Sequence, residues 1–373
     1  MKLLMGQLCI PVIYLFSLIL LQVSGCTPNK ETDRHENNGT PTKQKSVMEI
    51  ISPKQGAVFT CGDSIPVSYQ FDKKIKIDSI ALYSTGLKEL IFRKNFEKTF
   101  WPTSQARPGQ NIIKATVYYN DSLKETHSLT FVLLSDIVPK SYSYTLINTF
   151  PHDAGAFTQG LIFDKGVLYE STGLTGHSSM RIVEIKTGKV LKKVDLNSDL
   201  FGEGIAFFDN MVYQITWKNQ VGFVYEKETL NQVRSFDYPI SEGWGLTSDN
   251  TNMYMTDGSS FLYVIEPEYF TQTDQLDVFD NKGRIINLNE LEYIDGKIFA
   301  NVLGDTFIVI IDPETGKMTG KIELEKLVPE GIGENSNKVL NGIAFNPATR
   351  HLYVTGKLWP VLYEIKLNDY FDN

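Results

Sequence analysis

The stretch Gly160-Leu-Ile-Phe-Asp-Lys-Gly-Val-Leu-Tyr169 sets an apolar run, a tight Asp-Lys-Gly turn and a second apolar run side by side. Two short apolar runs joined by a Gly-containing turn read as a β-hairpin. The layout recurs at Gly204-Ile-Ala-Phe-Phe-Asp-Asn-Met-Val-Tyr213 and Gly245-Leu-Thr-Ser-Asp-Asn-Thr-Asn-Met-Tyr254. It recurs again at Glu290-Leu-Glu-Tyr-Ile-Asp-Gly-Lys-Ile-Phe299, and from Gly342-Ile-Ala-Phe-Asn through His351-Leu-Tyr-Val354. The starts lie 44, 41, 45 and 52 residues apart. A second strand pair follows each unit, as in 181–185 with 189–194 and 307–311 with 317–322. Four strands in a unit of roughly 40–50 residues is the pattern of a propeller blade. After the fifth hairpin only one more strand, 361–366, remains, so the outer strand of that unit is expected from 142–150. Closing a ring with strands from both ends removes an open sheet edge. The expectation is a five-bladed β-propeller over 141–373, against a solenoid of β-hairpins.

Upstream, residues 47–135 alternate strand-like runs with turn signals: 47–51 before Ser52-Pro53, 65–71 before Asp72-Lys73-Lys74, and 77–83 before Thr85-Gly86. Further runs at 111–119 and 126–134 flank Asn120-Asp121. This density predicts a small antiparallel sandwich of immunoglobulin type over 47–136. It holds no cluster of catalytic residue types and reads as a spacer or docking module whose partner the sequence does not specify. The whole chain is therefore expected to be all-β, with the propeller preceded by this Ig-like β-sandwich.

Residues 1–25 read as an export signal. Lys2 precedes an apolar run over 10–21, too short for a comfortable membrane span, which needs about 20 residues. Val23-Ser24-Gly25-Cys26 resembles a bacterial lipobox, which implies acylation of Cys26 and a lipid anchor on an exported protein, periplasmic or cell-surface. From 27 to about 46 the chain is polar and reads as a disordered tether. With Cys9 removed and Cys26 acylated, only Cys61 remains, which excludes an intrachain disulfide and reads as a buried small hydrophobe. A formal net charge of -8 and no Lys/Arg run argue against a nucleic-acid partner.

In a propeller, the loops entering the innermost strands meet at one end of the central channel. Here they carry Phe157-Thr-Gln159-Gly, Phe201-Gly-Glu203-Gly, Glu242-Gly-Trp244-Gly, Asn289-Glu290 and Leu340-Asn341-Gly342. Amides, carboxylates and aromatics in a concave site suit a small polar ligand. There is no HExxH, no CxxC pair and no G-x-S-x-G turn, and the five histidines are scattered. Neither a metal site nor a cofactor is expected.

Seven ordered segments resemble the plant- and bacterial-type glutaminyl-peptide cyclotransferases: Phe157-Thr-Gln-Gly-Leu161, Glu170-Ser-Thr-Gly-Leu174, Phe201-Gly-Glu-Gly204, Thr216-Trp-Lys218, Glu242-Gly-Trp-Gly-Leu246, Asn289-Glu-Leu-Glu-Tyr293 and Thr355-Gly-Lys-Leu-Trp-Pro360. The resemblance covers essentially all of 141–373. It implies a five-bladed propeller that needs no catalytic zinc and cyclises the N-terminal glutamine of peptides or proteins to pyroglutamate, releasing ammonia. It further implies Glu203 as the proton shuttle, with Gln159, Asn289 and Lys357 binding the amide or the developing charge. Phe157, Phe201, Trp217 and Trp244 would wall the glutamine pocket. Trp359 reads as ordinary aromatic core. The chain departs from the family at Leu303, after Ala300-Asn-Val, where a tryptophan is usual. That departure keeps open a non-catalytic surface propeller that binds peptide N-termini or small ligands; a lactonase-like propeller is a third reading.

Overall fold

The computed structural model describes residues 46–84, 87–92, 98–331 and 337–371. The expected signal, Cys26 and nearly all of the tether lie outside the described residues. Among the described residues no helix is long and apolar enough to cross a membrane. Among the described residues the architecture is all-β, interrupted by a single 3-10 turn at Glu325–Leu327.

The first strands are β1 (Met48–Ser52), β2 (Ala57–Thr60), β3 (Ser64–Phe71), β4 (Ile77–Ser84), β5 (Leu87–Phe92), β6 (Lys98–Pro102), β7 (Gly109–Tyr119) and β8 (Leu123–Leu134). They form a sheet ordered β1-β3-β6 and another ordered β2-β8-β7-β4-β5. On β7, Asn111, Ile113, Ala115 and Val117 are buried while Gln110, Lys114 and Tyr118 are exposed, the period-2 pattern of a sheet with one wet face. The buried faces of both sheets share one core around Ile65, Val67, Ile80, Leu82, Trp101, Phe131 and Leu133. Each such side chain contributes about 1.5–3 kcal/mol by leaving water. Cys61 packs in the same core. One pairing departs from the antiparallel expectation: β2 runs parallel to β8. The chain changes sheets between β1 and β2, so no hairpin turn imposes an antiparallel neighbour.

Two strands follow, β9 (Lys140–Tyr142) and β10 (Tyr144–Pro151), and then the repeats. The first sheet holds β11 (Thr158–Asp164), β12 (Val167–Thr172), β13 (Ser179–Glu184) and β14 (Lys189–Asp195). The second holds β15 (Gly202–Phe208), β16 (Met211–Thr216), β17 (Val221–Glu226) and β18 (Gln232–Asp237). In the third are β19 (Leu246–Ser248), β20 (Met253–Met255), β21 (Phe261–Glu266) and β22 (Thr271–Asp277). The fourth has β23 (Leu288–Ile294), β24 (Lys297–Val302), β25 (Phe307–Ile311) and β26 (Met318–Glu323), with β9 parallel to β26 at its edge. The last has β27 (Leu340–Asn346), β28 (His351–Gly356) and β29 (Val361–Leu367), and its outer strand is β10, from before the first sheet.

The first strands pack in a closed circuit, β11 on β15, β15 on β19, β19 on β23, β23 on β27 and β27 on β11. A separate apolar cluster fills each of the five sheet-to-sheet junctions. Strands near the centre are therefore buried on both faces, which is why β11 and β15 read as continuous apolar runs, whereas outer β14 is mostly exposed. Close approach at the centre needs glycine. A Cβ on Gly204 would sit 2.4 Å from the Leu246 nitrogen, and the Gly204 N–H donates to the Trp244 carbonyl at 2.7 Å. The fourth repeat carries Glu290 at this position, and its carboxylate accepts N–H bonds from Leu161 (3.1 Å) and Ile343 (2.9 Å), joining three sheets at the centre.

The N-terminal sheets are tied to this ring. β9 extends the fourth sheet, the Ser135 N–H donates to the Asp280 carbonyl (3.1 Å), and Lys317–Asp136 and Arg107–Asp274 pairs each close at 2.6 Å.

Candidate active site

In each ring sheet the first strand starts where the second ends, because they pair antiparallel. Residues that open first strands and residues that follow second strands therefore meet at one end of the ring. Gln159, Glu203 and Asn289 come from the starts of β11, β15 and β23; Phe157, Phe201 and Trp244 just precede first strands; Trp217, Leu303 and Lys357 just follow second strands. These nine side chains line one cavity of about 180 Å³. All eight side chains singled out for the pocket from the sequence are in it, with Leu303 as the ninth. Trp359 lies instead in the junction core between the fourth and last sheets, fully buried.

The aromatics form a continuous wall. Phe157 meets Phe201 edge-on with centroids 5.9 Å apart, and Phe201 meets Trp217 at 5.7 Å. Glu242 holds both indoles: its Oε2 accepts from Trp217 Nε1 at 2.7 Å and from Trp244 Nε1 at 3.1 Å, while Lys218 Nζ lies 3.4 Å from Oε1. Trp244 also depends on Gly258, whose added Cβ would fall 2.5 Å from the indole and whose φ is +81°.

Within the wall, Glu203 is 4 % and Lys357 5 % exposed. Burial drives the Glu203 carboxyl well above the usual carboxylate range; the Lys357 ammonium opposes this and the Glu242 carboxylate adds to it. Burial lowers the Lys357 amine to about 8 against the pull of Glu203. Lys357 Nζ sits 4.9 Å from the centroid of the Phe157 ring. For Glu242, burial acts to raise the carboxyl, but the indole N–H groups and Lys218 outweigh it and hold it below its ordinary value. Gln159 Nε2 donates to Glu203 Oε1 at 3.0 Å. Asn289 is 1 % exposed, and its Oδ1 has no hydrogen-bond partner among the described residues.

A cleft of about 600 Å³ lies between the 105–111 loop and β22, but its Arg107–Asp274 and Arg284–Asp277 charges are paired with each other. The smaller cavity holds the perturbed acid and amine, so the chemistry belongs there. Among the described residues no three His, Cys, Asp or Glu side chains are grouped to hold a metal ion. Two contributors stood in the converging loops but were given no role from the sequence. Asn341, which donates to Gln159, shares the repeat position of Gln159 and Glu203; Glu242 stood in the Glu-Gly-Trp-Gly motif with nothing local to show that it holds two indoles.

An all-β ring with a buried acid, a buried amine and two amides inside an aromatic wall defines a site for acid–base chemistry on a small polar group. The glutamine cyclotransferase family model matches residues 119–367. A glutaminyl-peptide cyclotransferase of Arabidopsis thaliana is 41% identical over 226 residues, covering 60% of this chain and 70% of that protein. The crystal structure of Myxococcus xanthus glutaminyl cyclase superposes with a TM-score of 0.58 at 31% identity, covering 62% of this chain and 98% of that one. The chain belongs to the glutamine cyclotransferase family.

Proposed function

We propose that the cavity binds an N-terminal glutamine and cyclises it to pyroglutamate with release of ammonia, making the chain a glutaminyl-peptide cyclotransferase. The observation that carries this reading is a buried, proton-avid Glu203 set beside Lys357, Gln159 and Asn289 in a cavity large enough for one side chain. The nucleophile, the peptide's own α-amine, is already tethered, so folding the side chain back supplies most of the proximity advantage. As the α-nitrogen bonds to Cδ, the carbonyl carbon of the side-chain amide, the amide oxygen gains charge that Lys357 stabilises. Glu203 takes the proton from the attacking nitrogen and delivers it to the departing one; the C–N bond breaks, ammonia leaves and the carboxylate is restored. The Asn289 Oδ1, without a partner among the described residues, accepts an N–H of the substrate amide. The aromatic wall excludes water.

In the same reading the five ring sheets are the blades of a β-propeller, and the eight N-terminal strands are an immunoglobulin-like module. The closed circuit of first strands and the two sheets around one core support this. Residues 1–25 act as a lipoprotein signal and Cys26 anchors the exported protein to a bacterial membrane; incorporation of labelled palmitate that persists in Cys26→Ser would overturn that part.

Ammonia release from Gln-Gly in the presence of EDTA tests the activity. Turnover indifferent to chelator is the expected result. Peptide binding without turnover would overturn it in favour of a non-catalytic binder.

A further inference from the structure

Asn341 begins the last ring sheet at the repeat position that Gln159 and Glu203 hold in the first two, and it is wholly buried behind the cavity lining. Its Nδ2 donates to the Thr158 carbonyl at 2.9 Å and to Gln159 Oε1 at 3.2 Å. A peptide carbonyl can only accept, so the Asn341 atom that faces Thr158 is the NH2 group. Gln159 must then turn its oxygen toward Asn341 and its own NH2 toward Glu203, where Nε2 donates to Oε1 at 3.0 Å. One backbone oxygen thus orients two side-chain amides in series. A proton on Glu203 Oε1 would point at an N–H; a proton on Oε2 would not.

We propose that Asn341 is a positioning residue for the cyclisation: acting through Gln159, it commits Glu203 to take and return its proton at Oε2, the oxygen not engaged by the relay. This rests on the cyclotransferase reading of the same cavity. Oε2 receives the proton from the attacking nitrogen and passes it to the departing nitrogen, so the carboxylate returns unchanged. The other groups that act on or feel Glu203 are Lys357 from the last sheet, Glu242 before the third and Tyr238 after the second. The Asn341 amide bonds Thr158 and Gln159 and none of these three. The Asn341 Oδ1 has no partner among the described residues. An orphaned buried acceptor is destabilising, a cost that an apolar residue would avoid.

The test combines kinetics with a readout that needs no turnover. Asn341→Asp removes the donor, so Gln159 flips and offers its oxygen to Glu203. Expected is a kcat for Gln-Gly reduced ~10–100-fold with KM little changed, the scale of a misplaced reacting group. The infrared carbonyl band of protonated Glu203, assigned by its loss in Glu203→Gln, should persist to higher pH in Asn341→Asp. In a Gln159→Leu background, Asn341→Asp should cost nothing more, because the two residues act in series. Asn341→Ser, which keeps one donor, covers failure of the aspartate variant to fold and should also lower kcat without moving KM. Multiplicative losses, or a band and kcat indifferent to both variants while the wild type turns over, would overturn the relay. A wild type silent for ammonia whose band still moves in Asn341→Asp would instead sink the cyclotransferase reading and leave the relay standing.

Discussion

His152 presents its Nε2 to Glu170 Oε1 at 3.0 Å and its Nδ1 to the Trp359 carbonyl oxygen at 2.7 Å, so both ring nitrogens face acceptors. With Glu170 ionised, both can be satisfied only by an imidazolium, and the partner carboxylate is equally buried. Burial opposes the charge on each. Mutual attraction and hydrogen bonds nevertheless outweigh burial, raising the His152 pKa above 6.5 and lowering that of Glu170 below 4.5.

The sign of the pH dependence follows. The contribution of His152 is complete below about 6.5 and is lost as pH rises through its higher folded value; that of Glu170 is complete above about 4.5 and is lost as pH falls through its lower one. Both are fully present between those limits. Glu170→Gln breaks a buried pair and should cost about 3–5 kcal/mol in urea unfolding at pH 5.5. The deficit should narrow toward alkaline pH, where wild-type His152 gives up its proton. A deficit that does not change with pH would show that the pair is not ionic.

Glu203→Gln keeps the shape of the side chain and removes its proton chemistry. Expected is a kcat loss on the order of 10²–10⁴-fold, as for a general acid–base, with KM moving far less. In the wild type, kcat should also decline above about pH 8, where the Lys357 amine sheds its charge. A glutamine variant that turns over normally would remove residue 203 from the reaction.

Glu242 acts on the site twice, holding both tryptophan walls and raising the proton affinity of Glu203. Glu242→Gln should therefore raise KM several-fold and move the acidic limb of the kcat/KM profile to lower pH, since the neighbouring negative charge is gone. KM and profile moving independently in Trp217→Phe, which loses the indole N–H but not the carboxylate, would separate the two effects. An unmoved acidic limb in Glu242→Gln would refute the electrostatic part.

Much of this site is legible because the ring repeats. The residue before each Gly160-type position lands at the same end of the ring, so Gln159, Glu203, Trp244 and Asn289 can be gathered from spacing alone. Side-chain pairings are another matter. Asn341 meets Gln159 across 182 residues, and no local pattern says which of two amides turns its NH2 toward a carbonyl. In the N-terminal sheets β2, β5 and β6 escape a reading by periodicity. They are only 4, 6 and 5 residues long, and the parallel neighbour of β2 is set by a sheet crossover that leaves no turn signal.

Leu303 follows β24 and closes the cavity between Trp244, Asn289 and the other lining residues without a flat ring or an N–H. A leucine keeps that wall apolar but gives the substrate nothing to stack on. Leu303→Trp should restore that surface. Aromatic contacts add about 0.5–1.5 kcal/mol beyond area, so KM for Gln-peptides should fall roughly two- to tenfold with kcat equal or higher. The change is small-to-large, and it precedes Gly304, whose backbone turns at φ +91° with nothing within 4 Å of the position a Cβ would take. A higher KM in a folded Leu303→Trp variant would mean that leucine fits the natural substrate of this chain, and that the departure from the family is a specificity rather than a loss.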